Sequence, residues 1–180
     1  MAEVLYWTKM DHPFGVFYLM ASDRGLCRIT WPHEPFDMIT RFHQRHAPHA
    51  ALIEDPRRLE SVVHQLEAYW NGQRNRFDIS LDLVGTPFQV SVWTALQTIR
   101  YGSVSTYGAV AAEIGRPKAT RAVGTAIGQN PVPIVVPCHR VIGKDGTLTG
   151  FGGGLRLKAC LLRMEGVNGF IETGHSRFRD

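Results

Sequence analysis

Apolar and polar positions alternate through residues 4–31. The stretches VLYW, GVFYLMAS and GLCRITW are rich in β-branched and aromatic residues. Turn signals at His12-Pro13 and Asp23-Arg24-Gly25 separate them, so the pattern predicts antiparallel strands. Residues 36–46 then predict a short helix ended by Pro48. Asp55-Pro56 supplies an N-cap and a proline at the first helical position, and predicts a second helix start there. Leu59, Val62, Val63, Leu66, Tyr69 and Trp70 follow helical spacing up to the stop Asn71-Gly72. Phe77, Ile79, Leu81 and Leu83 alternate with polar residues, as a half-buried strand or extended linker does. They lead into Val84-Gly85, the expected boundary between two domains.

Beyond that boundary the period changes from two to three and four. Thr86-Pro87-Phe88-Gln89 reads as a capping box with proline at the first helical position. Phe88, Val92, Leu96 and Ile99 mark one helical face, and Tyr101-Gly102-Ser103 ends the helix. A second helix is expected from about Ser105 through Ile114, stopped by Gly115-Arg116-Pro117, and a third from Lys118 to Gly128. Helix, short Gly/Pro turn, helix is the plan of a helix-turn-helix. The third helix carries Lys118 and Arg121 near its start and the small residues Ala122, Gly124, Ala126 and Gly128 along its length. Small residues allow close approach to a partner, whether a neighbouring helix or a ligand.

Residues 131–141 read PVPIVVPCHRV. Three prolines exclude a helix, and Ile134-Val135-Val136 is an apolar run suited to a buried, extended segment. That segment delivers Cys138, His139 and Arg140 together. A cysteine beside cationic or proton-accepting groups is the usual setting of a reactive thiolate, although most free cysteines are simply small buried residues. Lys144-Asp145-Gly146 predicts a hairpin turn. Gly150, Gly152, Gly153 and Gly154 surround Phe151, but the loop lacks the Lys-Ser/Thr ending of a phosphate loop. A last helix is expected over Leu155–Met164. Glu165 at its end opposes the macrodipole and so calls for a partner or full solvation. Residues 167–180 are polar and expected to fray.

Charge sharpens the division. Residues 1–85 hold nine lysines and arginines against eleven acidic residues, whereas residues 86–166 hold nine against three. A basic second half is the electrostatic footprint of nucleic-acid binding. With 44% hydrophobic residues and no apolar run of membrane-spanning length, the chain reads as a soluble globular protein. The N-terminus shows no secretory signal, and Cys27, Cys138 and Cys160 lack metal-ligand spacing, which favours a reduced, intracellular setting. His43, His46 and His49 recur every third residue. Pro48 interrupts the face they need, so no metal site is expected there. The fold expected is α/β: an N-terminal domain over 1–85 with an antiparallel sheet and helices, then a mostly helical domain over 86–180 containing the helix-turn-helix.

These motifs resemble those of the O6-alkylguanine-DNA alkyltransferases, the methylated-DNA–protein-cysteine methyltransferases. The resemblance is carried by Phe88-Gln89-Val90 with Val92-Trp93, Gly102 with Tyr107, and Pro117-Lys118-Ala119 with Arg121-Ala122-Val123-Gly124. It continues in Asn130-Pro131, Pro137-Cys138-His139-Arg140-Val141, and Gly153-Gly154-Leu155 with Lys158 and Glu165-Gly166. It covers about half the chain. His12-Pro13-Phe14-Gly15 and Gly25-Leu26 fit more loosely.

The resemblance implies repair of double-stranded DNA by direct reversal. An O6-alkylguanine, and also O4-alkylthymine, is flipped out and its alkyl group passes irreversibly to Cys138, once per molecule and without a cofactor. It implies that His139 takes the thiol proton through a water, that Glu165 orients His139, that Tyr107 bonds the guanine N3 edge, and that Asn130 supports the cysteine loop. Arg121 would fill the vacated stack, with Arg116, Lys118, Ala119, Thr120 and Gly124 along the DNA. Tyr107, Val141, Phe151, Gly152 and Gly153 would line the base pocket. It also implies a cytoplasmic monomer away from membranes. Two positions depart from the family pattern. Arg116 stands where asparagine often caps the recognition helix, and Phe151-Gly152 where tyrosine with serine or alanine is common. The zinc-binding cysteines and histidines of some members are not matched, since only Cys27 lies in that region. Two other readings are a DNA-binding module without catalysis, as in the alkyltransferase-like relatives, and a cysteine hydrolase using Cys138 and His139. The first is disfavoured by the cysteine itself. The second would need two neighbours on an extended chain to point the same way.

Overall fold

The computed structural model describes residues 4–172. It divides into two units, Met1–Val84 and Gly85–Asp180.

In the first unit, β1 (Val4–His12), β2 (Gly15–Ser22) and β3 (Gly25–Ile29) form the expected antiparallel meander. Gly15 and Gly25 take φ of 128° and 152° at its two turns. A side chain at Gly25 would come within 2.3 Å of the Ser80 carbonyl oxygen, so only glycine fits there. α1 (Asp37–His46) follows. A further strand, β4 (Ala51–Glu54), pairs parallel to β1, giving the order β3-β2-β1-β4. Only four residues long and largely exposed, β4 has no alternation to betray it.

Both faces of this sheet are covered. Met20, Leu5 and Cys27 pack with Ile39 of α1, while the Phe17 ring lies 6.2 Å from Trp70 of α2 (Glu60–Trp70). The second helix starts at Glu60, not at Asp55-Pro56. Asp55 caps a preceding turn instead, accepting from the Arg58 N–H at 3.1 Å. The alternating segment 77–83 makes no strand of its own. It lies along β3, with Leu26 N–H to Ser80 at 2.8 Å and Asp82 N–H to Leu26 at 2.9 Å. His43 Nε2 bonds the Ala50 carbonyl at 2.8 Å and the His46 ring lies against Phe42.

The second unit holds four α-helices among the described residues. α3 (Pro87–Leu96) begins with the complete Thr86–Gln89 capping box. β5 (Ser105–Thr106) precedes α4 (Tyr107–Glu113), whose first turn is capped by Thr106 accepting from Ala109 N–H at 3.2 Å. α5 (Thr120–Gly128) starts two residues later than the sequence suggests and without a side-chain cap. α4 and α5 pack together as a helix-turn-helix pair, and α5 also packs on α3, where buried Trp93 donates to the Ala126 carbonyl at 2.8 Å. β6 (Val141–Ile142) pairs parallel to β5. Residues 144–146 form a turn closed by Gly143 N–H to Thr147 at 2.8 Å, but no hairpin strands flank it. α6 (Leu155–Met164) has the expected limits.

The tail expectation needs correcting in part. Residues 167–172 are tied down: Leu148 N–H bonds Ile171 at 2.8 Å, Ile171 N–H bonds Gly146 at 2.9 Å, and Val167 and Phe170 pack against the cluster of Ile142, Leu148, Ala159 and Leu162. The remainder of the stretch expected to fray, 173–180, lies outside the described residues. Among the described residues, no helix is long and apolar enough to cross a membrane.

Candidate active site and nucleic-acid interface

The loop carrying Cys138 is compact, not extended. Pro133 to Val136 make a tight turn in which Ile134 adopts φ of 74°, the one positive value among described non-glycine residues. A β-branched residue resists that conformation, at a cost of order 1–3 kcal/mol, so the surroundings must hold it. Asn130 does so from inside. Its Nδ2 donates to the Val136 carbonyl at 2.8 Å, and its Oδ1 accepts from Val132 N–H at 3.0 Å. Pro137, at φ −82° and ψ 64°, then centres an inverse γ-turn closed by Cys138 N–H to Val136 at 2.8 Å. Residues 138–140 form a single 3-10 turn, which removes the premise that Cys138 and His139 point apart on an extended chain.

Cys138, His139 and Arg140 are all buried. Behind them sits Glu165, whose side chain is fully buried and accepts four hydrogen bonds. His139 Nε2 lies 2.8 Å from its Oε1, and Arg140 donates from Nε at 2.9 Å and from Nη2 at 3.0 Å. The fourth donor is Gly102 N–H at 3.3 Å. Gly102 has φ of 75°, and a Cβ there would come within 3.1 Å of the Glu165 carbonyl, so glycine is what lets this backbone approach the carboxylate. Arg140 is fixed in turn by Nη1 donating to the Ile99 carbonyl at 2.6 Å. The awkward glutamate at the end of α6 thus has partners. Since a carboxylate paired with arginine accepts only, Nε2 of His139 is assigned as the donor and Nδ1 as the ring's basic nitrogen.

Lys158 is the second buried charge. Its Nζ donates to the Val141 carbonyl at 2.6 Å and to the Thr149 carbonyl at 3.2 Å, and lies 5.5 Å from the centre of the Phe151 ring. Burial lowers its ammonium from 10.5 to about 8, with an ionised Cys138 pulling it back up. Burial raises the Cys138 thiol, while the Asn130 side chain, the Lys158 charge and the N–H groups of Cys138 and His139 lower it. Burial also lowers His139, against the bond and charge of Glu165. Burial therefore favours the neutral form of both groups.

Tyr107 opens α4, half-buried, with its hydroxyl 3.0 Å from Thr149 Oγ1 and 3.4 Å from the Thr149 carbonyl. Val141 and Phe151 are buried, whereas Gly152 and Gly153 are partly exposed. On the outside of α5 and its approach, Arg116, Lys118, Thr120 and Arg121 are exposed, and Ala119 is partly so. A Cβ at Gly124 would meet Tyr107 at an ordinary 3.6 Å, and one at Gly128 would meet nothing within 4 Å. Packing inside the protein therefore demands neither glycine. The sequence places Arg140 beside Cys138 but does not reveal its pairing with Glu165, nor that Lys158 is buried near the cysteine. Lys158 did leave a signal, because Leu155, Lys158, Leu162 and Glu165 share one helical face that is otherwise apolar. Thr149 left none.

Among the described residues, no group of three or more His, Cys, Asp or Glu could hold a metal ion. Residues 5–83 match the model of the 6-O-methylguanine DNA methyltransferase ribonuclease-like domain, and residues 87–167 that of the DNA binding domain. The methylated-DNA–protein-cysteine methyltransferase of Mycobacterium tuberculosis (strain H37Rv) is 54% identical over 162 residues, 90% of this chain and 93% of that protein. The inducible enzyme of Bacillus subtilis is 40% identical over 161 residues, 89% of this chain and 90% of the other. The crystal structure of the M. tuberculosis O6-methylguanine methyltransferase superposes with a TM-score of 0.78, at 41% identity in that alignment, over 90% of this chain and 93% of that one. The same organism's protein in complex with DNA gives 0.77 at 42% identity over 89% and 92%. Over both of its units, therefore, this chain belongs to the 6-O-methylguanine DNA methyltransferase family.

Proposed function

We propose that Cys138 is the acceptor in this chain's repair reaction, taking the alkyl group from O6 of a guanine flipped out of duplex DNA. The observation that carries the reading is a buried thiol on which the Asn130 side chain and the buried Lys158 charge act, in one 3-10 turn with His139, whose imidazole is held by the buried Glu165. His139 Nδ1 takes the thiol proton through a water, and the imidazolium so formed faces Glu165, the nucleophile–base–orienter arrangement. The thiolate attacks the alkyl carbon, the C–O6 bond breaks with its electron pair going to the base, and the proton ends on guanine N1 by way of His139 and solvent. Regeneration would have to expel the Cys138 thiolate from the stable C–S bond of the thioether, so the protein acts once.

Arg140 holds Glu165 in register, and Asn130 holds the strained loop that presents the thiol. Lys158 stabilises the developing thiolate. Tyr107 donates a hydrogen bond to N3 of the leaving base, and Val141, Phe151, Gly152 and Gly153 line its pocket. Phe151 brings no hydroxyl, so backbone N–H groups serve O6.

Exposed Arg116, Lys118 and Arg121, with Ala119, Thr120 and Gly124, present α5 to DNA, and Arg121 fills the space the base vacates. Glycines that internal packing does not require support close approach of this helix to the duplex. The acceptor works as a monomer in the cytoplasm, needs no cofactor, and also accepts O4-alkylthymine. Mass measurement of the intact protein after mixing with duplex DNA containing O6-methylguanine tests the reading. One methyl group gained on Cys138 is the expected result. Binding without mass gain would favour a recognition module instead.

A further inference from the structure

We infer that Thr149 is a positioning residue for alkyl transfer: its hydroxyl aims and polarises the Tyr107 hydroxyl towards the leaving base. The inference rests on the role given to Tyr107 under Proposed function and deepens it.

Three hydrogen bonds converge on this one half-buried threonine. Its Oγ1 donates to the Tyr107 oxygen at 3.0 Å, and its carbonyl accepts from Tyr107 O–H at 3.4 Å and from Lys158 Nζ at 3.2 Å. A phenol carries one proton. When its oxygen accepts a hydrogen bond, its own O–H becomes a stronger donor, because linked hydrogen bonds polarise one another. The bond from Tyr107 to the Thr149 carbonyl is long for O–H···O, whose usual separation is about 2.7–2.8 Å. That carbonyl also serves a charged donor already. The tyrosine proton can therefore be exchanged for a better acceptor, and the ring nitrogen of an extruded purine is one.

The chemistry rewards such an arrangement late in the reaction. Electron density from the breaking C–O6 bond spreads into the purine ring, and a preorganised donor gains most where charge develops. Tyr107 keeps its proton throughout and contributes only a hydrogen bond. Thr149 is also registered to the nucleophile. Lys158 clamps its carbonyl together with that of Val141, three residues beyond Cys138. A displacement of the 149 loop would thus move the tyrosine donor relative to the thiol.

The test compares Thr149→Val, which keeps the shape and deletes the hydroxyl, with Thr149→Ser, which keeps the hydroxyl. Single-turnover transfer is measured on duplex DNA carrying O6-methylguanine or its 3-deaza analogue, in which C–H replaces N3. Thr149→Val should slow transfer from O6-methylguanine roughly three- to tenfold, the size of one hydrogen bond. Thr149→Ser should stay within about twofold of the unsubstituted protein, since it retains that bond. On the 3-deaza substrate, Thr149→Val should add no further loss. Combined with Tyr107→Phe, it should be no slower than Tyr107→Phe alone. Equal slowing on both substrates, serine as slow as valine, or an unchanged rate for Thr149→Val would each overturn the inference. If Thr149→Val does not fold, Thr149→Ala takes its place with the same expectations. A failure of the unsubstituted protein to gain an alkyl group from O6-methylguanine is a different result. It would overturn the transfer reading itself, and this inference with it.

Discussion

Cys27 and Cys138 are both buried cysteines, and the contrast between their surroundings shows what makes a site. Cys27 lies in the sheet of the first unit among Leu5, Met20 and Ile39, and its thiol donates to the Met20 carbonyl at 3.2 Å. Burial, helped by the Asp82 carboxylate, pushes it up to about 12. Cys138 is raised by burial too, but there a side chain and a buried cation, Asn130 and Lys158, act in the opposite direction, whereas at Cys27 only backbone groups and the exposed Arg24 do so. Burial by itself makes a thiol inert. Reactivity needs groups that stabilise the anion, and such groups are themselves costly to bury. The second unit bears that cost with Arg140, Glu165 and Lys158, whereas the core of the first is almost wholly apolar.

The largest effect should come from exchanging the two cysteines' fates. Cys138→Ala is expected to abolish alkyl gain in intact-mass measurements while leaving duplex affinity nearly unchanged, because affinity rests mainly on phosphate contacts. Cys27→Ala should transfer at the normal rate. A folded Cys138→Ala protein that no longer binds DNA would break the separation of roles.

Next in size is a comparison of two ion pairs. Glu165→Gln leaves Arg140 buried without its carboxylate and should lower unfolding free energy in urea by about 3–5 kcal/mol. Glu34→Gln in the first unit should cost less, about 1–2 kcal/mol, because the Arg28–Glu34 pair makes one long contact of 3.4 Å and keeps some access to solvent. Similar losses from both would mean that burial of the Arg140–Glu165 pair is not what stabilises it.

Arg121 tests whether the outer face of α5 serves duplex DNA alone. Base extrusion costs a few kcal/mol, so Arg121→Ala should slow transfer from duplex DNA by roughly 10- to 100-fold. Transfer from the free modified base should hardly change. Equal slowing on both substrates would assign Arg121 to protein structure instead.

The smallest expected effect is on pH dependence. The folded pKa of His139 lies below its unfolded value, so the unfolded state takes up its proton first as pH falls. The stability from keeping His139 neutral is fully present above about pH 6.5. It is lost as pH drops from there through the lowered folded value, at up to about 1.4 kcal/mol per pH unit. His12 and His46 shift in the same direction, so the informative quantity is the difference between the unsubstituted protein and His139→Gln. Urea unfolding from pH 7 to 5 should show that difference shrinking or reversing. A difference constant with pH would show that His139 titrates as it does in the unfolded chain.

Local signals in the sequence were enough for much of this molecule. Alternation marked β1 to β3, the capping box marked the start of α3, and Gly115-Arg116-Pro117 marked the turn between α4 and α5. These features depend on neighbours within four residues, which a sequence displays directly. The motif around Cys138 and the misplaced Glu165 also pointed to the site. Other features needed the folded chain. β4 is held by pairing with β1, 47 residues away at Val4 and Ala51, and carries no periodic pattern of its own. Asp55-Pro56 has good capping chemistry, yet tertiary packing starts the helix at Glu60. The run Ile134-Val135-Val136 is apolar enough for a strand, but Asn130 and the three prolines bend it into a strained turn. The buried charges are the clearest case. Arg140 meets Glu165 across 25 positions and Lys158 meets Val141 across 17, and only the tertiary structure decides such meetings. The reason is physical. A sequence fixes which groups are costly to bury, but their compensation comes from partners that only folding brings within hydrogen-bond reach.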